Sequence, residues 1–331
     1  MKKIPQIIAQ SLDDLFVVGG AVRDIILGRM PKEYDLITTT GLGEIKFKTF
    51  KESKNGETIG AFIKGVKYDI SHYESLDHDL KRRDFTINSM ALPVQKDGEI
   101  LISHIVDPSN GMKDLKDKIL RSFDPYENMK SDPVRILRGL RFISNYDLEV
   151  EEKTFDAMKM FMSLVQKVSK ERLFLPLDAF VKGKYFSKAS KVAKDLNLEE
   201  YLGIPTLNFD IAAKLDPQCR WQAIFAKIKS VDVFKEKVSP PSKVVKSILR
   251  INDFIDQIEN QRYDWTIKIK DEEGVCLCQI LEVFGINSDI VRRRMDTKLH
   301  VTPEMIEKWG VNGEKIAKQM IELWIDILND K

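Results

Sequence analysis

The sequence predicts an α+β protein, with a mixed β-sheet head at 1–121, an all-helical neck at 122–180 and a helical body and tail at 181–331. Three observations predict it. Residues 16–37 read as strand, glycine turn, helix and second strand. Residues 44–73 are rich in strand-forming side chains, with turn signals at Asn55-Gly56 and Lys64-Gly65. From Asp132 onward the pattern is helical, with breaks near Gly203-Ile204-Pro205 and Ser239-Pro240-Pro241. A chain of 331 residues is long enough for a sizeable core and two or three structural units.

Taken in order, residues 1–14 form a short amphipathic helix that leads into a strand at 16–18. Gly19-Gly20 then turns the chain tightly and leaves no Cβ in the way of a ligand. The helix that follows has an apolar face at Val22, Ile25 and Ile26, and Gly28 stops it. Free N–H groups at its start suit a phosphate. After Met30-Pro31 comes a strand with Glu33 and Asp35, two residues apart and therefore on one face. Two carboxylates beside a phosphate cradle suit Mg²⁺-assisted phosphoryl or nucleotidyl transfer, because Mg²⁺ takes hard oxygen ligands and bridges to substrate phosphates. Strands follow at 45–50, 58–63 and 66–72, the last bearing Asp69.

In residues 82–92, Arg82 and Arg83 offer forked donors for phosphate or ribose oxygens. Asp84 is suited to position an arginine or accept from a ribose hydroxyl, and Asn88 supplies both donor and acceptor. Phe85, Ile87, Met90 and Leu92 belong to the core. A Lys96-Asp97-Gly98 turn and a last strand at 100–106 complete the head. Asp107 and Asp114 read equally as helix caps and as functional groups. At the next helix, Asp132 is the expected N-cap before Pro133, and Arg135 and Arg138 share a face.

The run Gly19-Gly20-Ala21-Val22-Arg23-Asp24, then Leu27-Gly28-Arg29 and the acidic pair, resembles the signature of class II nucleotidyltransferases. That family holds the tRNA CCA-adding enzymes, their CC-adding and A-adding relatives and the bacterial poly(A) polymerases. The Arg82–Leu92 run, Asp107-Pro108-Ser109-Asn110-Gly111 and Ser169-Lys170-Glu171-Arg172 resemble later family motifs. Two departures stand out. Glu33 replaces the first Asp of the family's Asp-x-Asp, and Ser131 replaces the Glu of its Glu-Asp-x-x-Arg, while Asp132 and Arg135 remain.

The resemblance implies Mg²⁺ held by Glu33 and Asp35, with Asp69 completing the catalytic acidic cluster. It puts Gly19, Gly20 and Arg23 near the phosphates, Arg83 and Asp84 near the ribose, and Asp132 and Arg135 at the base. Asn88 and Arg138 join the nucleotide-binding set. The implied activity is addition of nucleotides from CTP, with ATP left open, to the 3′ end of tRNA without a nucleic-acid template. Between Tyr73 and Leu80 the chain is too short for the family's flexible loop, which implies CC addition as the dominant activity, with full CCA addition left open. The tRNA surface is expected in the C-terminal parts, where Arg292-Arg293-Arg294 and the Gly310-Val311-Asn312-Gly313 turn draw notice. The rivals are a poly(A) polymerase and a catalytically inactive RNA-binding relative. Glu33 and Ser131 motivate the second, and Asp35 and Asp69 argue against it.

Composition sets the remaining bounds. With 53 basic and 51 acidic residues, net charge is +2, so any nucleic-acid surface must come from local clustering. Cys219, Cys276 and Cys278 read as buried thiols of a reducing cytoplasm, since Cys276-x-Cys278 lacks the second pair that zinc needs. No apolar signal-peptide core follows Met1-Lys2-Lys3, and no window reaches the length of a membrane span.

Overall fold

Gln6–Ser11 (α1) leads into Leu15–Val18 (β1), and Gly19 turns the chain at φ 67° into Gly20–Ile26 (α2). The structure is a computed structural model that describes residues 3–42, 47–52, 58–228, 231–262, 264–297 and 313–329. Glu33–Thr38 (β2) returns antiparallel to β1. Lys51–Glu52 (β3), Thr58–Ile63 (β4) and Val66–His72 (β5) follow, with β4 and β5 joined through Lys64 and Gly65, both at positive φ. β5 lies parallel to β2, and Ala91–Pro93 (β6) pairs with β1. The six-stranded sheet runs β3-β4-β5-β2-β1-β6.

The two faces of this sheet have different fates because side chains alternate along a strand. Tyr34 and Leu36 of β2 and Tyr68 and Ile70 of β5 point into a core with Ile8, Leu12, Val17 and Val22. Burial pushes the Tyr68 hydroxyl up to about 12, with Tyr34 beside it adding to the shift. On the other face Val18, Ile37, Leu80 and Ala91 form a small cluster under Leu76–Lys81 (α3). α3 begins soon after β5, with the Ser75 Oγ accepting from His78 N at 3.3 Å. It covers the Ile37 end of that face, and Glu33 and Asp35 lie beyond it, exposed.

Two strand expectations need correction. Residues 47–50 are not strand, and 43–46 and Asn55-Gly56 lie outside the described residues. The strand expected at 100–106 is reduced to isolated bridges, Val94↔Ile100 and Ala91↔Val106, around a 3₁₀ turn at Ile102–His104. Its partner β6 is three residues long and ends at Pro93, which has no N–H to extend a ladder.

Gly111–Asp117 (α4), Ile119–Leu120 (β7), Pro125–Ser131 (α5), Val134–Tyr146 (α6), Glu149–Val150 (β8) and Glu152–Phe161 (α7) complete the first unit, 1–164. Asp107 caps α4, its carboxylate accepting from Gly111 N at 2.7 Å and Met112 N at 2.9 Å. Asp114 accepts from Thr86 Oγ1 at 2.7 Å and pairs with Arg121. Asp132 ends α5 in extended conformation, φ −142°, and gives its main-chain carbonyl to Arg135 N at 3.0 Å. The N-cap of α6 is Pro133, so Asp132 stands one position before the cap that the sequence predicts. α6 packs at Gly139, where a Cβ would stand 3.1 Å from the Phe85 ring.

The described residues of the second unit, 165–331, are mostly helical. It comprises Phe174–Val181 (α8), Phe186–Asp195 (α9), Leu198–Leu202 (α10), Phe209–Ala212 (α11), Arg220–Ile224 (α12), Val231–Val238 (α13), Ser242–Glu259 (α14), Asp271–Val283 (α15), Asp289–Asp296 (α16) and Gly313–Asn329 (α17). Gly203 and Ser239, both at positive φ, fall at the predicted breaks. Cys219 and Cys276 are joined in a disulfide and Cys278 is a buried thiol, which corrects the expectation of three thiols. Among the described residues no helix is long and apolar enough to cross a membrane.

Candidate active site

The site begins with a register. β2 and β5 run parallel with Asp35 opposite Asp69 and Glu33 opposite Lys67. Adjacent strands lie about 4.8 Å apart, so main-chain pairing alone brings the two aspartates together. The Asp35 carboxyl is held above the ordinary carboxylate range. Although the residue reaches solvent, desolvation by the protein atoms crowded around its carboxyl is the largest cause; Arg83 opposes it, Glu33 and Asp69 add to it, and Lys67 again opposes. Asp69 gives Oδ2 to the Lys67 ammonium, while its Oδ1 is buried without a hydrogen-bond partner among the described residues.

Gly19 lies against this pair. A Cβ on it would stand 2.8 Å from Arg83 Nη1 and 3.5 Å from Asp35 Oδ2, and its φ of 67° suits glycine. Arg83 is aimed by Asp79, whose Oδ2 accepts from Nε at 2.9 Å, with Nη2 at 2.8 Å. Asp79 is buried, and it also accepts from Arg82 Nε at 3.2 Å.

Behind the turn lies a buried polar chain. Arg23 is 5% exposed, donates to Asn88 Oδ1 and stacks 4.6 Å from the Tyr146 ring centroid. A Cβ on Gly20 would stand 3.3 Å from Arg23 Nη2. Asn88 Nδ2 donates to Asp84 Oδ1 at 2.9 Å, as does Phe85 N at 2.9 Å. Arg138 holds Asp84 Oδ2 through Nε at 2.7 Å and Nη2 at 2.7 Å. Burial works against the Asp84 anion, but Arg138, Asn88 and the Phe85 amide outweigh it and hold the carboxyl below its usual range. Asp84 and Arg23 thus face inward and act through their partners.

Arg135 donates to Asn128 Oδ1, and Asn128 Nδ2 bonds Ser122 Oγ at 2.9 Å and the Arg83 carbonyl at 3.3 Å. The half-buried Arg135 guanidinium is lowered by burial, against the attraction of Asp84 and Asp132. Asn128, Asp79 and Lys67 are polar positions that sequence reasoning missed. A buried helical Asn and a strand Lys next to acids carry no signal until register and packing are known.

These residues fit a divalent ion in one respect. Asp69 Oδ1 is a buried oxygen with no hydrogen-bond partner among the described residues, beside Asp35 on the same open face. Among the described residues no group of three or more His, Cys, Asp or Glu side chains is arranged to hold a metal ion by itself. An open site with one or two carboxylates, completed by substrate oxygens, is the kind Mg²⁺ uses.

Residues 15–73 and 61–121 match the poly(A) polymerase head domain. The match ends at residue 121, before α5. The chain is similar to a CC-adding tRNA nucleotidyltransferase of Halalkalibacterium halodurans, 36% identical over 165 residues, 48% of this chain and 42% of that protein. A CCA-adding enzyme of Streptococcus agalactiae is 33% identical over 213 residues, 57% of this chain and 51% of that protein. The chain thus spans about half the length of these curated relatives. The fold is that of the Bacillus stearothermophilus CCA-adding enzyme solved in complex with CTP, with a TM-score of 0.76, 23% identity, and coverage of 99% of this chain and 94% of that one.

Proposed function

We propose that this chain adds cytidine nucleotides from CTP to the 3′ end of tRNA lacking its CCA, releasing pyrophosphate. The observation that carries the reading is the Asp35–Asp69 register pair set against Gly19 and Arg83. Asp35 and Glu33 are the residues to hold Mg²⁺, and Asp69 completes the acidic face. The ion would supply charge neutralisation for the triphosphate and acidify the attacking 3′-hydroxyl. The Gly19-Gly20 turn admits the phosphates without a Cβ in the way. Arg83, fixed by Asp79, presents its guanidinium to a phosphate or ribose oxygen. Asp132 and Arg135 read the base edge, where an acceptor and a forked donor suit cytosine. Arg138, locked on Asp84, and Asn88, locked between Asp84 and Arg23, support that surface.

The short connection from β5 to α3 supports CC addition as the dominant activity, because it leaves no room for the family's flexible loop. The test is single-nucleotide extension on three tRNAs, ending before CCA, after C and after CC, with Mg²⁺ and each nucleotide supplied alone. Two C steps with slow A addition are expected. Efficient A addition to the CC end overturns the CC-only reading, and ATP use on any RNA 3′ end would favour a poly(A) polymerase. No incorporation on any substrate favours the inactive RNA-binding relative. A cytoplasmic location belongs to the same reading. Because that compartment keeps most thiols reduced, the assay is run with and without reductant.

A further inference from the structure

We propose that Lys67 is a tethered competitor for the divalent cation at the Glu33–Asp35–Asp69 face, an inference that rests on the nucleotidyl-transfer reading above. Lys67 and Asp69 are two residues apart on β5, so their side chains share a face. The parallel register sets them opposite Glu33 and Asp35, which places one ammonium at the corner of a square of three carboxylates. Lys67 Nζ bonds Asp69 Oδ2 and stands 4.0 Å from Glu33 Oε2. The family's metal pair is Asp-x-Asp, and this chain has the longer Glu33 at the first position, whose carboxylate lies near that same ammonium.

A lysine ammonium is a compact point charge on a flexible stem, able both to occupy a cation position and to withdraw from it. Asp69 gives one oxygen to Lys67, and its other oxygen is buried with no hydrogen-bond partner among the described residues. A divalent ion entering beside Asp35 must therefore share Asp69 with Lys67 or displace it. Part of the acidic charge is already neutralised when the ion arrives, so this chain needs more of it to fill the site.

The test uses Mn²⁺ as the probe, titrated into the full chain without nucleotide and followed by the electron paramagnetic resonance of the free ion. Lys67→Met keeps the stem and removes the charge. It should tighten Mn²⁺ binding about tenfold, the lower end of what one neighbouring charge does to the ionisation of a carboxylate. Lys67→Arg keeps the charge and should retain the affinity of the parent chain. In the extension assay the Mg²⁺ concentration for half-maximal incorporation should fall with Lys67→Met by a similar factor. Asp35→Ala serves as the reference and should weaken Mn²⁺ binding whichever residue stands at 67. If Asp35→Ala weakens binding while Lys67→Met leaves it unchanged or weaker, Lys67 is no competitor and the proposal is overturned. If Asp35→Ala has no effect on Mn²⁺, the metal reading of the site fails on its own account.

Discussion

Both oxygens of Asp84 are taken by protein donors: Phe85 N and Asn88 on one, Arg138 on the other. The residue is 5% exposed, so its charge is sustained by these partners rather than by water. Asp84→Asn removes the charge, leaves Arg138 without its anion, and sets an amide where a carboxylate accepted from several donors. The expected cost is about 2 kcal/mol, the scale of a lost hydrogen bond to a charged group, read from the urea midpoint. An unchanged midpoint would show that Arg138 and Asn88 do not depend on this carboxylate. The pH dependence follows from the direction of its shift. The folded-state carboxyl is depressed, so its stabilisation is fully present above the unfolded value of about 3.9 and is lost as pH falls through the folded value. The Asn variant should accordingly lose less stability than the parent chain between about pH 4 and pH 2.

α4 lies against the Thr86 main chain at Gly111. A Cβ there would stand 2.1 Å from the Thr86 carbonyl oxygen and 3.1 Å from Met90 Cγ. Thr86 opens the 3₁₀ turn Thr86–Asn88, which carries the Asn88 that links Arg23 to Asp84. Gly111→Ala must push α4 and that turn apart, at a cost of about 3 kcal/mol as overpacking against backbone. It should also weaken CTP binding in isothermal titration, although Gly111 has no place in the nucleotide site. Full stability together with intact CTP affinity would refute the coupling. At this scale the sequence was informative where a local rule decides. The strands at 58–63 and 66–72 were legible because β-rich runs flank a Lys-Gly turn, and α1, α2 and the breaks at Gly203 and Ser239 followed from propensity and turn chemistry. The strand at 100–106 was misread because Ile100, Leu101 and Ile102 resemble a strand, whereas pairing depends on a partner that ends at Pro93. The acids and glycines of the site were legible from their motifs, but Lys67 and Asn128 were not, since what they touch is fixed by register and helix packing.

Across the whole molecule the two units are held by different means. The first is tied by the sheet and the polar chain behind Gly19; the second carries the Cys219–Cys276 disulfide, with a sequence separation of 57. Closing a loop of that length stabilises by about 4 kcal/mol in the chain-entropy account. Cys276→Ser should therefore lower the urea midpoint of the second unit. Tryptophan fluorescence reports on that unit alone, because Trp221, Trp265, Trp309 and Trp324 all fall within 165–331. A midpoint unmoved by the substitution, or by reductant, would count against the bond as a stabiliser. The three arginines expected at a tRNA surface are already engaged within this unit: Arg292 with Glu282, Arg293 with the Leu328 carbonyl, and Arg294 with the Thr266 carbonyl and the Trp324 ring. The first unit offers a different lesson in its parallel ladder. Asp35 and Asp69 are spaced by hydrogen-bonded main chain, so the distance between them is quantised in whole residues. Changes of side-chain type along β2 and β5, such as Glu33 for Asp, leave that spacing untouched. A single inserted or deleted residue in either strand changes it by a full step and turns the carboxylate into the apolar face. The chemistry of this site can drift by substitution, while its geometry admits no intermediate.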